Sequence, residues 1–248
     1  MDIRALLFDV NGTLIDIETD EGLEEIYRDI GHFLAYQGIS LHRWEVRDLY
    51  FQIMQHQRKE SAETFVEWDA VEVWREFLQN KASDYTRSLP SEKREQLPLF
   101  LAELHRGIAR KRLRLYPQVQ ETLDQLCSLY HMAVVTDAQS AYAVPELHAV
   151  GLLKYFNPII VSGDYGYRKP DSRLFHKALE ALQVRPEQAI FLGNDLYQDI
   201  FGAQQVGMKA IFVSYDQGNT SSQTISPDYI ICRFAELPQA VNYFVALG

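Results

Sequence analysis

Short apolar runs that alternate with amphipathic helical stretches constrain the fold of this chain more than any other feature. The first run covers residues 5–8, and the later runs cover 132–135, 158–162, 189–192, 210–213 and 229–232. A short apolar run bounded by turn residues is typical of a strand buried in a parallel sheet. Because strands that alternate with helices form doubly wound sheets, the sequence predicts an α/β fold with a mostly parallel sheet.

The stretch between the first two runs is too long for a simple crossover. Roughly a hundred residues there have apolar side chains at helical spacing, whereas a crossover between parallel strands needs only about a dozen. We therefore predict a separate α-helical domain at residues 16–114, inserted into a core domain of residues 1–15 and 115–248. The hinges are expected near residues 14–18 and 113–117.

The charge of the chain argues against a nucleic-acid partner. Its 248 residues have a formal net charge of −10, whereas binding to phosphate backbones needs clustered Lys and Arg. The basic residues between positions 110 and 114 are interpreted as the end of a helix, where they complement the helix dipole. No run approaches the roughly 18 apolar residues of a membrane span.

Three local patterns complete the description of the chain. The start lacks the features of a signal peptide, and we expect a cytoplasmic protein. Cys127 and Cys232 lie far apart in apolar contexts, which predicts buried free thiols. Residues 217–226, rich in Gly, Asn, Thr and Ser, are predicted to form a surface loop.

Polar residues follow three of the predicted strands at the point where each strand ends. They are Asp9, Thr136 with Asp137, and Asn194 with Asp195, while Lys169 lies in the loop after the predicted strand at 158–162. Ligands of open α/β sheets bind outside the carboxyl ends of the strands, so we expect these side chains at one site. Carboxylate oxygens suit Mg²⁺, a lysine suits a phosphoryl group, and an aspartate can attack phosphorus as a nucleophile.

Four short motifs contain these residues and occur in a fixed order. They are Phe8-Asp9-Val10-Asn11-Gly12-Thr13-Leu14, Val134-Val135-Thr136-Asp137, Arg168-Lys169-Pro170-Asp171, and Gly193-Asn194-Asp195 through Asp199. Together they resemble the four motifs of the haloacid dehalogenase-like hydrolases. The resemblance covers the whole predicted sheet domain, and it implies a Rossmann-like core with an α-helical cap that usually sets the substrate.

The resemblance implies a role for each matching residue. The catalytic positions are those of Asp9 as nucleophile, Asn11, Thr136 and Lys169. The phosphate contacts would come from Thr136, Asp137, Lys169 and Gly12. The Mg²⁺ ligands would come from Asp9, Asn11 through its main-chain carbonyl, Asp195 and Asp199. Thr136, Asp195 and Asp199 have an alternative role, because polar and acidic side chains also stabilise helix N-termini.

Two residues depart from the family pattern. The family's phosphatases carry an acid two residues after the nucleophile, and this chain has Asn11 there. A carboxyl can protonate a leaving group and then activate water, whereas a carboxamide cannot, and the loss of such a group costs about 10²–10⁴ in rate. Asn194 stands where the first acid of the fourth motif is common. Asp16 is a candidate replacement for the missing proton carrier.

Three functions fit this sequence. The leading hypothesis is a Mg²⁺-dependent phosphatase that hydrolyses a small phosphorylated metabolite through an aspartyl-phosphate, slowly because of Asn11. The second is chemistry at carbon, as in the family's 2-haloacid dehalogenases, which also lack that acid but usually have Tyr there and need no metal. The third is a protein that binds a phosphorylated ligand and hardly turns it over. The expected partner is a small molecule, not nucleic acid or a membrane, and the expected state is a monomer or a homodimer.

Overall fold

The structure is a computed structural model that describes residues 1–215 and 225–247. Strands and α-helices alternate along these residues. In chain order they are β1 (Ala5–Phe8), β2 (Ile15–Thr19), α1 (Glu24–Tyr36), α2 (Arg43–Glu60), α3 (Ala70–Lys81), α4 (Asp84–Ser88), α5 (Ser91–Ala109), β3 (Arg110–Leu115), α6 (Val119–Leu126), β4 (His131–Thr136), α7 (Ser140–Ala149), β5 (Ile159–Val161), α8 (Ser172–Leu182), β6 (Ala189–Gly193), α9 (Gly202–Gln205), β7 (Lys209–Val213), β8 (Tyr229–Ile231) and α10 (Leu237–Ala246). A helical segment with π-type turns, Leu196–Phe201, leads into α9.

One sheet of six strands forms the centre of the molecule. The strand order is β5-β4-β1-β6-β7-β8, and every neighbouring pair is parallel. Phe8 of β1 aligns with Val134 of β4 on one side and with Leu192 of β6 on the other. The carboxyl ends of these three strands therefore reach the same edge of the sheet. This topology confirms the predicted α/β fold.

Alternate residues of β1 pack on opposite faces of the sheet. Leu6 and Phe8 belong to a core that also contains Phe244 of α10. Leu7 belongs to a second core that contains Phe175 of α8. Because helices cover both faces, each central strand is apolar along its whole length instead of alternating between apolar and polar residues.

Helices α1–α5 form the predicted helical insertion and surround a hydrophobic core, into which Tyr142 of α7 also packs. Tyr27, Trp74 and Phe77 are fully buried there. The short helix α4 was not expected from the sequence. Arg106 of α5 reaches across to the sheet domain, where its Nε donates to Glu146 Oε1 of α7 at 2.8 Å. The side chain of Glu146 is only 4% exposed, so this ion pair fixes α5 against α7.

The two segments that join the insertion to the sheet pair as an antiparallel ribbon of β2 and β3. Arg112 and Arg114 donate to the carboxylate of Asp16 at 3.0 and 2.8 Å. The prediction that residues 110–114 end a helix is therefore wrong. The basic side chains find acidic partners on the opposite strand, a long-range pairing that the local sequence does not reveal. The predicted domain limits at 15–16 and 114–115 fall within this ribbon and stay a prediction.

Two smaller predictions concern the cysteines and a loop. Cys127 and Cys232 are free and exposed, so the prediction of buried thiols is wrong. Each directly follows the end of an element, α6 or β8, where an apolar sequence neighbourhood does not ensure burial. The predicted surface loop at 217–226 lies outside the described residues except for its last two positions. No helix in the described part of the chain is long and apolar enough to cross a bilayer.

The core of the insertion makes a prediction about stability. Trp74→Ala should lower the free energy of unfolding by about 3–5 kcal/mol, because it leaves a cavity among fully buried side chains. Urea unfolding followed by circular dichroism measures this change. The matched control is Tyr36→Ala in α1, whose side chain is 75% exposed and which should change the value by less than about 0.5 kcal/mol. Equal effects of both substitutions would contradict a separate core in the insertion.

Candidate active site

A buried lysine links two aspartates at the carboxyl edge of the sheet. Lys169 Nζ lies 2.8 Å from Asp9 Oδ1 and 2.6 Å from Asp199 Oδ1. All three residues are buried, with exposures of 6% or less. Asp9 directly follows β1, and Asp199 lies on the helical segment after β6, so neighbouring strands bring the two carboxylates together. The sequence prediction that Asp9, Lys169 and Asp199 share one site agrees with this geometry.

The surrounding carboxyl groups keep Lys169 charged. Burial alone would lower the pKa of the Lys169 ammonium, but the negative charges of Asp199, Asp9 and Asp137 outweigh it and raise this pKa above its usual value. The site therefore offers a positive charge in a position from which water is largely excluded. Such a charge interacts strongly with an anion, because the local dielectric constant is low.

Asp199 orients the lysine and is itself held by the main chain. Its Oδ2 accepts hydrogen bonds from the N–H groups of Asn194 and Asp195, both at 3.0 Å. Its Oδ1 accepts the bond from Lys169. Gly193 packs directly against this carboxylate, and a Cβ at that position would overlap the Asp199 side chain. A metal role for Asp199 would have to compete with these bonds.

The end of β4 has two buried polar atoms that accept or donate no hydrogen bond within the described part of the chain, although Asp137 Oδ2 also lies 3.8 Å from the guanidinium of Arg168. Within the described residues, Thr136 Oγ1 and Asp137 Oδ2 have no hydrogen-bond partner. The other oxygen of Asp137 accepts the N–H of Lys169 at 2.9 Å, which ties the end of β4 to the lysine loop. A buried hydroxyl without a partner is costly, so Thr136 Oγ1 is suited to bind a ligand here.

The turn after Asp9 contains a glycine with positive φ, Gly12, and a threonine that hydrogen-bonds back to Asp9, Thr13. Gly12 has φ +83°, a conformation that favours glycine, and a Cβ there would overlap the amide of Asn194. Thr13 Oγ1 donates to Asp9 Oδ2 at 3.0 Å. Sequence reasoning missed this role of Thr13, although the residue stands in the first motif. Asn11 is half-buried in the same turn.

The structure places two other candidate residues in supporting roles. Burial would raise the pKa of Asp16, but hydrogen bonds from Arg114 and Arg112 outweigh it and lower the pKa below its usual value. A carboxylate held in this way is a poor proton carrier, which argues against Asp16 as the replacement for the missing acid. Asp195 Oδ1 accepts the N–H groups of Tyr197 and Gln198, both at 2.8 Å, and caps the following helical segment.

The donor atoms at this edge fit a magnesium ion only with help from water and substrate. Between residues 1–215 and 225–247, no three His, Cys, Asp or Glu side chains are grouped so that they could hold a metal ion. However, the three carboxyl groups of Asp9, Asp137 and Asp199 outnumber the two cations beside them, Lys169 and Arg168, and the available donors are oxygens. Mg²⁺ typically takes one or two carboxylates and completes its octahedron with water and phosphate oxygens. The donor set is therefore chemically suited to Mg²⁺.

The fold and this site define a hydrolase class. A family model for haloacid dehalogenase-like hydrolases matches residues 3–207, and the chain belongs to this family. The match includes the helical insertion and four strands of the sheet, β1, β4, β5 and β6. It confirms the resemblance seen in the four motifs.

Several relatives of known name are phosphatases. The chain is 25% identical over 243 residues to a phosphoglycolate phosphatase of Agrobacterium fabrum, with 95% of this chain and 91% of that protein covered. It is 34% identical over 135 residues to a glyceraldehyde 3-phosphate phosphatase of Pyrococcus furiosus, with 52% of this chain covered. The match spans only 54% of the length of that relative.

Solved structures with the same fold include both phosphatases and dehalogenases. A HAD phosphatase from Thermococcus onnurineus matches with a TM-score of 0.58 and 25% identity, covering 96% of this chain and 98% of that one. A 2-haloacid dehalogenase from Pseudomonas syringae matches with a TM-score of 0.66 and 23% identity, covering 98% of this chain and 99% of that one. At this identity the dehalogenase shows the shared fold alone.

The contact between Gly193 and Asp199 makes a prediction about the site. Gly193→Ala should lower the free energy of unfolding by about 1–3 kcal/mol, because the new Cβ displaces the carboxylate that holds Lys169. Gly107→Ala is the matched control, since a Cβ there meets no atom within 4 Å and should stabilise α5 by about 0.5–1 kcal/mol. Thermal unfolding of both variants measures the difference. A neutral Gly193→Ala variant would contradict the close packing of Asp199.

Proposed function

We propose that this protein is a Mg²⁺-dependent phosphatase that hydrolyses a small phosphorylated metabolite. The observation that carries the proposal is the unpartnered hydroxyl of Thr136 beside a buried aspartate–lysine pair. A phosphoryl group would give that hydroxyl an acceptor and would lie close to the ammonium of Lys169. The phosphatase relatives support the same substrate class.

The chemistry divides among the residues as follows. A carboxylate oxygen of Asp9 attacks phosphorus, the P–O bond to the leaving group breaks, and an aspartyl-phosphate forms. Lys169 stabilises the charge on the phosphoryl oxygens, and Thr136 donates a hydrogen bond to one of them. Water then attacks phosphorus, which releases inorganic phosphate and regenerates Asp9. The leaving alkoxide takes its proton from water, because the carboxamide of Asn11 has none to give.

The proposed magnesium ligands differ in how many hydrogen bonds they accept within the described residues: the carboxylate of Asp199 accepts three, whereas those of Asp9 and Asp195 accept two each. Asp9, the main-chain carbonyl of Asn11 and Asp195 would hold the ion, while Asp199 acts mainly on Lys169. Bound Mg²⁺ would offset the negative charge of the phosphate and of the clustered carboxylates.

Turnover of p-nitrophenyl phosphate with and without Mg²⁺ tests this proposal. We expect slow, Mg²⁺-dependent turnover by the unsubstituted protein, and Asn11→Asp should raise kcat by about 10²–10⁴-fold because it restores a proton carrier. Asp9→Asn should abolish turnover both in the otherwise unsubstituted protein and when combined with Asn11→Asp. Halide release from a 2-haloacid without Mg²⁺ would instead support chemistry at carbon. Tight phosphate binding with no product, in the unsubstituted protein and in Asn11→Asp alike, would support a binding protein.

Thr136→Val separates ligand binding from folding. It should weaken inhibition by inorganic phosphate roughly 10-fold or more, because a hydrogen bond to a charged oxygen is lost. The same substitution should leave the free energy of unfolding unchanged or higher, since the hydroxyl has no protein partner.

Thr86→Val in α4 is the control for this substitution. Thr86 Oγ1 is buried and donates to the main-chain oxygen of Gln37 at 2.8 Å. Its loss should lower the free energy of unfolding by about 1 kcal/mol without changing inhibition by phosphate. If Thr136→Val lowered the free energy of unfolding and left inhibition by inorganic phosphate unchanged, Thr136 would have a purely structural role.

A further inference from the structure

Residues 63–70 of the insertion, here called the strap, lie on the sheet domain beside the candidate site. The N–H of Glu67 donates to the main-chain oxygen of Gly166 at 3.0 Å, and the N–H of Arg168 donates to that of Phe65 at 2.8 Å. The guanidinium of Arg173 also pairs with the carboxylate of Glu63. The strap therefore binds the segment that carries Lys169.

A single glutamine joins the strap to the end of β4. Gln139 Oε1 accepts the N–H of Ala70 at 2.8 Å, and its Nε2 donates to the main-chain oxygen of Trp68 at 2.6 Å. Both ends of the amide are thus used by the strap, and the side chain is buried at 6% exposure. Gln139 stands three residues after Thr136, the last residue of β4, in the short loop that leads from this strand to α7.

A second bridge runs in parallel to the first. Ser162 Oγ accepts the N–H of Ala138 at 3.0 Å and donates to Glu67 Oε2 at 2.9 Å. Residues 138 and 139 are therefore both bonded, directly or through one hydroxyl, to the strap. The position of the strap and the position of the loop after Thr136 cannot change independently without breaking these bonds.

We propose that Gln139 is a positioning residue that couples closure of the strap to phosphate binding by Thr136. The inference rests on the proposed function, because it takes Thr136 as a phosphate contact. When the strap is bound, Gln139 ties it to the loop that begins directly after Thr136. When the strap leaves, the amide loses both partners, and the loop keeps its hydrogen bonds with residues 162, 163 and 169 of the sheet domain. Coupling of this kind is reciprocal, so a bound phosphoryl group must also favour the closed strap.

The packing around Gln139 supplies a second way to disturb it. A Cβ on Gly163 would lie 3.0 Å from Gln139 Oε1 and 2.9 Å from the main-chain oxygen of Ala138. Gly163→Ala therefore crowds the amide while leaving its chemistry intact. Gly163→Ala and a substitution of Gln139 itself therefore disturb the same contact, between the Gln139 amide and the strap.

Hydrogen–deuterium exchange and steady-state kinetics on the full chain test the inference. In Gln139→Met, the amides of residues 63–70 should exchange at least about tenfold faster, since a near-isosteric side chain without an amide cannot hold Ala70 or Trp68. KM for p-nitrophenyl phosphate and the inhibition constant of orthovanadate should rise about tenfold, with kcat changed much less. Gln139→Glu keeps the acceptor for Ala70 and should fall between Gln139→Met and the unsubstituted protein.

Three further measurements make the outcome decisive. Gly163→Ala should reproduce the faster strap exchange and the higher KM, which covers the case that Gln139→Met folds poorly. Gln79→Met, on the exposed side of α3, is the matched control and should change neither quantity. In the unsubstituted protein, orthovanadate should slow exchange of the strap, and this slowing should be lost in Gln139→Met.

The failures of the two proposals can be told apart. Unchanged strap exchange in Gln139→Met and Gly163→Ala would overturn the role of Gln139, whatever the enzyme hydrolyses. Faster exchange with an unchanged inhibition constant for orthovanadate would overturn the coupling. Absence of both turnover and orthovanadate binding in the unsubstituted protein would overturn the proposed function, and the coupling with it.

Discussion

The ion pair of Lys169 with Asp9 and Asp199 is the interaction on which the site depends. A buried ammonium is costly unless it is paired, and removing one carboxylate from such a group leaves an uncompensated charge. Asp9 and Asp199 come from parts of the chain that are far apart, and Lys169 from a third. The ion pair can form only when β1 and β6 are adjacent and the loop after β5 is folded over them. The ion pair at the candidate site therefore depends on this sheet topology.

The helical insertion is attached to the sheet at more than its hinge. The β2–β3 ribbon carries paired charges, the Arg106–Glu146 ion pair fixes α5 to α7, and the strap lies on the lysine loop. These three attachments use polar groups, and Tyr142 of α7 adds an apolar contact with the core of the insertion. Under the proposed function, such attachments would suit a domain that covers the site and admits a substrate.

Local sequence patterns predicted the strands of the sheet, but they did not predict which side chains pair in the tertiary structure. The apolar runs gave the strands of the sheet, because a strand covered on both faces must be apolar throughout. The interpretation of residues 110–114 failed because a run of basic residues suits a helix end and a charged ribbon equally, and only Asp16 on the opposite strand distinguishes them. Gln139 could not be assigned for a similar reason, because its partners Ala70 and Trp68 lie 69 and 71 residues away along the chain. Thr13 is different, because its partner Asp9 lies only four residues away, within the first motif.

The sequence by itself determined the α/β class, the order of the motifs and the types of side chain available at the sheet edge. These properties follow from periodicity and from residues that stand where strands end. The tertiary structure decided which oxygens are already bonded and which are open to a ligand. The carboxylate of Asp199 accepts hydrogen bonds from Lys169 and two main-chain N–H groups, and that of Asp16 accepts bonds from two arginines. The hydroxyl of Thr136, in contrast, has no hydrogen-bond partner among the described residues. Such differences depend on distances of a few tenths of an ångström between distant parts of the chain, which residue types do not encode.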